Sequence, residues 1–292
     1  MHVPVMKDYV IRFLDPKPDE DFVDCTVGEG GHAMAILERT RPSGIVLGID
    51  ADPIILRVLK RKVEGTDYEK RLALVCGNFA NLNEIVEKYA FKRVSGVLFD
   101  LGLSSWHLEE SRRGFSFLRN EPLDMRYSLE NTLTADVIVN FWSLRDIERI
   151  LRIYGQERFA RRIAGEIVRS RPLRTTVDLV MAIERATPSW YHKGRIHFAT
   201  KTFQALRIAV NSELENLERA LPQALDIIGE GGRLVVISFH SLEDRIVKNF
   251  LREKFRAGIV KILTKKPVRP SKEEVTENPR SRSAKLRAAL KV

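Results

Sequence analysis

The chain has 292 residues, of which 44% are hydrophobic and 30% are charged, enough to bury one large core or two smaller ones. Its first residues lack the apolar segment of a signal peptide, and no stretch approaches the roughly 18 uncharged residues of a membrane span. Two cysteines, Cys25 and Cys76, end separate predicted strands, so we expect small buried residues and no disulfide framework. These features predict a globular cytoplasmic protein that does not enter a membrane.

The charge is strongly positive, with a formal net charge of +10 and an isoelectric point near 9.7. Such an excess fits either a solvated basic surface or a polyanionic partner. The basic residues are concentrated in two segments, 158–174 and 261–292, and the second has ten Lys or Arg against three Glu. The first segment contains Arg158, Arg161, Arg162, Arg169, Arg171 and Arg174. Two separate basic segments favour a nucleic-acid partner, because a phosphate backbone is extended.

The first predicted strand, residues 22–26, passes an acid at Asp24 and runs directly into a glycine turn at 28–31. Glycine permits a positive φ and lets the backbone approach a ligand that a Cβ would block. A helix is predicted next, at 33–41. A strand, a glycine turn and a helix in this order indicate the first corner of a doubly wound nucleotide-binding fold.

Further β-branched runs alternate with helical stretches and predict a parallel sheet. The other predicted strands are 44–49, 72–75, 95–99 and 233–238. Between about 106 and 200 the pattern is helical instead, with helices predicted at 135–154, 158–169 and 177–186, followed by a long helix at 202–221. We therefore predict a discontinuous sheet domain, 1–107 and 201–292, split by an all-helical insertion at 108–200.

The glycine turn alone does not select a cofactor. Gly28, Gly30 and Ala33 fit the dinucleotide pattern, and Asp50 ends the second strand where a ribose-binding acid belongs, so both NAD and S-adenosylmethionine remain possible. Phe79 follows the third strand, where it either stacks on adenine or packs in the core. Asp100 ends the fourth strand, where an acid suits a methyltransferase better than hydride transfer, or simply caps a turn.

Longer segments of the chain are more specific. They are 24–32 (DCTVGEGGH), 48–53 (GIDADP), 99–105 (FDLGLSS), 113–117 (RGFSF), 122–126 (PLDMR), 201–207 (KTFQALR), 211–214 (NSEL), 238–244 (SFHSLED) and 278–287 (NPRSRSAKLR). Together they resemble the bacterial RsmH/MraW family over essentially the whole chain. The resemblance implies a Rossmann-like class I S-adenosylmethionine-dependent methyltransferase sheet with an inserted all-helical domain. It also implies N4-methylation of a cytidine in the decoding region of small-subunit (16S) ribosomal RNA. By the same resemblance, the helical insertion at 108–200 contributes to recognition of that RNA.

The resemblance also implies a set of cofactor contacts. Those residues are Gly28, Gly30, Gly31 and His32 at the methionine end, Asp50 at the ribose, Phe79 at the adenine, and Asp100 and His107 closing the pocket. After the two serines the family usually continues Pro-Gln, whereas this chain has Trp106 and His107. A histidine can make one hydrogen bond in place of an amide, or it is an ordinary surface residue here.

Transfer to a cytosine amine requires a group that accepts its N–H, because the nitrogen lone pair is delocalised into the ring. We predict that Asp100 or a neighbouring carbonyl is this acceptor and that Trp106 stacks on the base. Methylation of carbon 5 is disfavoured, because it needs a cysteine thiolate. We predict no metal site, since the residues of 238–244 lack ligand spacing to a second histidine.

Two other functions remain open: an RNA-binding ribosome-assembly factor without turnover, and an NAD-dependent dehydrogenase. The predicted partner is small-subunit ribosomal RNA, within the assembled or assembling subunit. The segments 113–117 and 122–126 form either a groove for single-stranded RNA or a packed loop, and 278–285 is either a flexible basic tail or a set of phosphate contacts.

Overall fold

The computed structural model describes residues 4–91 and 94–292, and the chain divides into two compact units. One unit extends to Gly102 and resumes at Leu214, and the other is Leu103–Glu213. The boundaries predicted at 107/108 and 200/201 therefore lie inside the second unit. The reason is packing, because Leu103 and Phe203, which lie just outside the predicted insertion, pack in the core of that unit.

Seven strands and fourteen α-helices occur in the described part of the chain. The strands are β1 (Asp21–Asp24), β2 (Val46–Asp50), β3 (Leu72–Cys76), β4 (Val94–Asp100), β5 (Ile228–Ser238), β6 (Val260–Ile262) and β7 (Lys285–Lys291). The helices are α1 (Lys7–Leu14), α2 (Gly31–Arg39), α3 (Pro53–Val63), α4 (Leu82–Lys88), α5 (Ser105–Glu109), α6 (Ala135–Phe141), α7 (Leu144–Ile153), α8 (Ala160–Arg169), α9 (Thr176–Ala186), α10 (Ser189–His192), α11 (Thr200–Asn211), α12 (Glu213–Ile227), α13 (Ser241–Arg256) and α14 (Lys272–Glu277). Two short 3-10 helices are Phe79–Asn81 and Pro279–Ser283.

The strands form one sheet in the order β3-β2-β1-β4-β5-β7-β6. β1 to β5 are mutually parallel, as predicted, and the order changes direction between β1 and β4. In open α/β sheets, ligands bind at the carboxyl ends of the strands beside such a change of direction. The Rossmann-like sheet is confirmed, and its geometry selects the ends of β1, β2 and β4 as the place to look for a site.

The C-terminal basic segment is not a flexible tail. β7 pairs antiparallel with β5 along Arg233–Ser238 and also with β6, so it is inserted between them. Leu286, Ala288 and Ala289 are fully buried there. Part of the positive charge of the segment therefore lies within the fold. Residues 278–285, for which a flexible tail and phosphate contacts were the two alternatives, form a 3-10 helix at Pro279–Ser283 and lead directly into β7, which argues against the flexible tail.

The core of the first unit follows the alternation of side chains along each strand. Leu47 and Ile49 face one way, toward a cluster that includes Leu82 of α4, Leu221 of α12 and Val247 of α13. Burial of these apolar side chains at about 25 cal/mol per Å² is the main force that holds the helices on the sheet. The sheet thereby becomes a rigid support for the strand ends.

The second unit is helical, as predicted, but two of its predicted helices are broken. The helix predicted at 135–154 is two helices, α6 and α7, because the Ser143 hydroxyl caps a new helix by accepting a hydrogen bond from the Asp146 amide at 3.1 Å. The helix predicted at 202–221 ends at Ser212, whose φ is 48°, and α12 then begins. Nowhere in the described residues does a helix have both the length and the apolar character needed to cross a membrane.

Candidate active site

Three carboxylates lie at one edge of the sheet. Asp24, Asp50 and Asp100 are the last residues of β1, β2 and β4, which are neighbouring parallel strands. His32, in the first turn of α2, is buried beside them. Sequence reasoning selected Asp50, Asp100 and His32 but not Asp24. The signal for Asp24 was available, since an acid at the end of a buried strand and before a glycine turn is expected at such an edge.

The glycine turn takes a conformation that other residues rarely adopt. Gly28 and Gly30 have φ values of 48° and 81°, and Gly30 is the N-cap of α2. A Cβ on Gly30 would lie 2.5 Å from a methyl carbon of Leu59. No side chain of the described residues caps this end of α2, so its first amides are available to a ligand.

Asp50 connects the end of β2 to the glycine turn. Its Oδ2 accepts a hydrogen bond from the Gly28 amide at 3.0 Å, and its Oδ1 accepts one from the Asp52 amide at 2.9 Å. Each carboxylate oxygen has a second lone pair, so Asp50 can hold the turn and still accept hydrogen bonds from ribose hydroxyls. The geometry is compatible with the predicted role of Asp50.

His32, which is buried, and Asp100, which is partly exposed, form a pair, with Nε2 of His32 3.4 Å from Oδ2 of Asp100. Nδ1 of His32 and Oδ1 of Asp100 are buried without a hydrogen-bond partner among residues 4–91 and 94–292. Burial by itself lowers the pKa of His32, but contact with Asp100 and the charges of Asp100 and Asp24 outweigh it, so the pKa is raised. Buried polar atoms without partners indicate that a ligand completes this site.

Asp24 is the most deeply buried acid of the group, with 1% of its surface exposed. Burial raises its pKa to about 7, against the opposing charge of His32. Its Oδ1 accepts a hydrogen bond from the Thr26 amide at 3.1 Å, and the Thr26 hydroxyl accepts one from the Asp100 amide at 2.7 Å. Asp24 and Thr26 thus join the end of β1 to the end of β4.

Phe79 is half-buried in the turn after β3 and contacts Phe99 edge to face, with ring centroids 5.5 Å apart. This contact supports the core-packing alternative without excluding adenine contact on the exposed part of the ring. Cys25 is buried, and burial raises the pKa of its thiol well above the usual value, whereas Cys76 is exposed.

Trp106 and His107 belong to the second unit. The His107 ring is buried; its Nδ1 lies 2.8 Å from the Ser104 hydroxyl, and it packs against Phe115 and Tyr127 with centroids 5.2 and 5.0 Å away. His107 is therefore not a surface histidine. Trp106 is half-buried, and its ring lies 5.3 Å from the guanidinium carbon of Arg113. The roles predicted for Trp106 and His107 at the base and the cofactor stay predictions.

The segments 113–117 and 122–126 form one packed loop. Arg113 is buried and donates to the carbonyls of Arg126 and Tyr127, at 2.9 and 3.0 Å. Arg126 in turn pairs with Asp124 at 2.8 Å. Asn211, which sequence reasoning noted only as part of a motif, accepts from the Tyr127 amide at 2.8 Å. Both guanidiniums therefore already bind groups of the loop itself. Of the two alternatives for these segments, this favours a packed loop over a groove for single-stranded RNA.

The segment 238–244 has a structural role in the first unit. Glu243 is buried and accepts hydrogen bonds from the amides of Phe239 and His240, at 2.8 and 3.2 Å, which completes a capping box at the start of α13. Asp244 accepts from Arg287 of β7 at 2.7 Å. The segment thus closes the N-terminus of α13 and anchors the last strand.

The edge of the sheet fits an adenosine-containing cofactor with a charged methionine end. Three features complement such a ligand. The glycine turn lets it approach the backbone, Asp50 has lone pairs for its ribose hydroxyls, and His32 and Asp100 have polar atoms without partners in the described residues. Fold and site together define an S-adenosylmethionine-dependent methyltransferase. A Streptococcus mutans methyltransferase solved with SAH shares the fold, with a TM-score of 0.50 and 12% identity over 100% of each chain.

The family model for the MraW methylase family matches residues 1–292, and the chain belongs to that family. It is 50% identical over 291 residues to "Ribosomal RNA small subunit methyltransferase H" of Thermotoga neapolitana, covering 99% of this chain and 95% of the relative. It is 46% identical over 306 residues to the protein of the same name from Dehalococcoides mccartyi, covering 100% of this chain and 86% of that protein.

Proposed function

We propose that this protein methylates N4 of a cytidine in the decoding region of 16S ribosomal RNA. The names of its close relatives support the small ribosomal subunit as the source of the substrate. The observation that carries the proposal is the buried Oδ1 of Asp100, a carboxylate oxygen without a partner in the described chain, at the carboxyl end of β4. An acceptor in that position is what an exocyclic amine requires.

S-adenosylmethionine, when bound, supplies an electrophilic methyl group on a positively charged sulfur. Asp50 would accept hydrogen bonds from the ribose hydroxyls while it holds Gly28 in place. The amides at the start of α2 would face the methionine carboxylate, because a helix N-terminus favours an anion. Gly31 and His32 lie in this first turn, and Phe79 would contact the adenine.

Asp100 would act on the cytosine. Its Oδ2 lies 3.4 Å from Nε2 of His32, within range of charge attraction, and its Oδ1 would remain for an N–H of the amine. Accepting that hydrogen bond places the nitrogen for attack and stabilises the positive charge that develops on it. Trp106 would stack on the base, and His107 would close the cofactor pocket.

The chemistry of the cysteines favours N4 over carbon 5. A carbon-5 methyltransferase needs a reactive thiolate, and reactive cysteines have lowered pKa values. Cys25 has the opposite property, because burial raises the pKa of its thiol. Cys76 is the only other cysteine in the sequence, and it ends β3, an outer strand of the sheet that is separated from β4 and Asp100 by β2 and β1.

RNA in the assembled or assembling small subunit is the partner that the positive charge favours. We expect the protein to act in the cytoplasm, where that RNA is found. An assembly factor without turnover would have the same charge but would not need an unpartnered acceptor at the edge of the sheet.

The test is transfer of labelled methyl from S-adenosylmethionine to small subunits that lack the native modification. The RNA is then digested to nucleosides and separated by chromatography. Label in N4-methylcytidine would establish the reaction. Label in 5-methylcytidine would contradict the assigned atom, and absence of label in a protein that binds the cofactor would favour the assembly-factor alternative.

A further inference from the structure

An exposed group of aromatic and basic side chains lies on the second unit, and the proposed chemistry uses none of its residues. We call it the arginine–aromatic platform, formed by Arg158, Phe159, Arg162, Trp190 and Tyr191. Trp190 is 55% exposed, which is unusual for the largest apolar side chain. The platform joins the turn before α8 to the short helix α10.

The rings and guanidiniums of the platform are in mutual contact. The guanidinium carbon of Arg158 lies 5.3 Å from the Trp190 ring centroid and 5.7 Å from that of Phe159. That of Arg162 lies 5.8 Å from the Phe159 centroid. The Phe159 and Trp190 rings meet edge to face, with centroids 5.8 Å apart. Arginine beside an exposed indole makes a surface that is flat, apolar and cationic together.

A buried carboxylate holds the platform in shape. Glu157 is 3% exposed, and its Oε1 accepts a hydrogen bond from the Phe159 amide at 2.9 Å. Its Oε2 accepts one from the Tyr191 hydroxyl at 2.8 Å. Because one side chain fixes both segments, the rings are positioned before any ligand arrives, which reduces the entropy cost of binding.

The arginines of the platform are not neutralised. Arg158 and Arg162 are exposed, as is Arg161, their neighbour in the sequence, and none of the three forms an ion pair with another residue of the described ranges. Further along α8 the situation differs, because Glu166 pairs with both Arg169 and Arg185. Exposed guanidiniums without an acidic partner can bind anions from outside, two of them lie against the aromatic rings, and an aromatic face adds a preference for flat rings.

We propose that the arginine–aromatic platform binds unpaired nucleotides of the RNA substrate, with a base stacked on Trp190 and phosphates held by Arg158, Arg161 and Arg162. This inference rests on the proposed function, because it assigns part of the RNA contact to these residues. Single-stranded RNA is recognised in this way by other proteins, through aromatic stacking and guanidinium contacts. A duplex offers the phosphates but keeps its bases stacked away from the indole.

The test measures binding of a fluorescein-labelled single-stranded RNA 12-mer, and of the same sequence as a duplex, by anisotropy at several salt concentrations. We expect Trp190→Ala to weaken single-strand binding about tenfold, since stacking of one base contributes about 1–3 kcal/mol. Trp190→Phe keeps a ring and should restore most of the affinity. Duplex binding should change less than threefold in both variants.

Arg161→Ala tests the phosphate contacts without removing a ring contact. It should weaken the binding of both the single strand and the duplex. The slope of log affinity against log salt concentration should become less steep by about one. Arg145→Ala, an exposed arginine of α7, removes the same charge elsewhere on this unit and serves as the matched control. Cofactor affinity and thermal unfolding of every variant should match those of the unaltered protein.

Unchanged single-strand affinity in Trp190→Ala would overturn the platform. Equal losses of affinity for the single strand and the duplex in Trp190→Ala would also overturn it, because base stacking would then not be involved. If Trp190→Ala leaves RNA affinity intact but slows methylation of whole subunits, the platform contacts a ribosomal protein and the RNA assignment fails. Failure of the unaltered protein to methylate subunits, with the Trp190 effect on RNA binding present, would contradict the proposed function and leave the platform standing.

Discussion

Nε2 of His32 and Oδ2 of Asp100 lie 3.4 Å apart, which joins the first turn of α2 to the end of β4. The pair is placed by two features with different origins. The glycine turn brings His32 over the edge of the sheet, and the Thr26 hydroxyl holds the Asp100 backbone by accepting its amide hydrogen at 2.7 Å. Any change to Asp100 should therefore be detected at the His32 ring.

Asp100→Asn should separate binding from turnover. It removes the charge that raises the pKa of His32, so burial should dominate and that pKa should fall, measured from the ring resonances in NMR spectra across pH. Methyl transfer should fall at least about 100-fold, because an amide oxygen is a weaker acceptor for a developing cation. Cofactor affinity should change by less than about fivefold. A loss of cofactor binding as large as the loss of turnover would reassign Asp100 to the pocket.

Asp50→Ala should act on the cofactor alone. It deletes the acceptor that holds the Gly28 amide and, under the proposal, the ribose contact, so S-adenosylmethionine affinity should fall about 10- to 100-fold by calorimetry. Asp226→Ala removes the same charge from an exposed site on α12 and should bind the cofactor normally. Equal affinities in Asp50→Ala and Asp226→Ala would contradict the role of Asp50.

The parallel half of the sheet could be predicted from sequence because its strands are short apolar runs that end in acids or in glycine turns. Those are local signals. The position of β7 is different, because it depends on pairing with β5 some fifty residues earlier in the chain. In the sequence its alternation is short and lies within a basic segment, where nothing local distinguishes an inserted strand from a tail.

The site shows the same division between local and distant causes. Gly30 and Asp50 are visible in sequence because a turn and a strand end determine what they do. The pairing of His32 with Asp100, and the altered pKa of Asp24, depend on burial by distant segments and are visible only in the fold. The break at Ser212 was also missed, since a serine with a φ of 48° carries no signal of the kind that glycine does.

Asp24→Asn should change how stability depends on pH. Burial raises the Asp24 pKa from 3.8 to about 7, so the folded state holds this proton more tightly than the unfolded chain. Its contribution to stability is fully present below about pH 4 and is lost as the pH rises through about 7. The unaltered protein should lose this contribution between pH 5 and pH 8, and the variant should not. The unfolding free energy of the variant minus that of the unaltered protein should therefore rise by about 3 kcal/mol over this range.

Urea denaturation of the cofactor-free protein at both pH values measures that gain. Asparagine can still accept the Thr26 amide hydrogen, so the turn should remain intact. Asp226→Asn should keep the pH dependence of the unaltered protein. If the unfolding free energies of Asp24→Asn and the unaltered protein change in parallel from pH 5 to pH 8, Asp24 does not titrate in this range. The raised pKa of Asp24 would then be wrong.

Arg287→Met should destabilise the attachment of β7 to α13. Arg287 is 7% exposed and donates to Asp244 at 2.7 Å, so its loss leaves a largely buried carboxylate whose remaining ion-pair partner in the described part of the chain is Lys285, at 3.5 Å. We expect unfolding free energy at pH 7 to fall by about 2–3 kcal/mol in urea denaturation. Arg282→Met, an exposed neighbour, should be neutral.

The effect of Arg287→Met should shrink in acid. Burial alone raises the Asp244 pKa, but the hydrogen bond and charge of Arg287 outweigh it, so the pKa is lowered. A lowered pKa contributes stability above the ordinary value near 3.8, and that stability is lost as the pH falls through the folded pKa. The two proteins should therefore converge below about pH 4. A constant difference between them would mean that packing, not the charge pair, carries the effect.

Asn211→Ala should loosen the packed loop of the second unit. The Asn211 side chain accepts from the Tyr127 amide at 2.8 Å and donates to the Met125 carbonyl at 2.7 Å, so it satisfies two backbone groups at once. Without it we expect the free energy of unfolding to fall by about 2 kcal/mol. Hydrogen exchange at the Tyr127 amide should be at least about tenfold faster, because the amide loses its acceptor.

Hydrogen exchange with mass-spectrometric readout checks this prediction peptide by peptide. Asn120→Ala is the matched control, since Asn120 is an exposed asparagine of the same loop. Peptides from the first unit should exchange as before in both variants, because their hydrogen bonds are in the sheet. Unchanged exchange at Tyr127 in Asn211→Ala would show that the aromatic contacts of His107 and Phe115 hold the loop without help from Asn211.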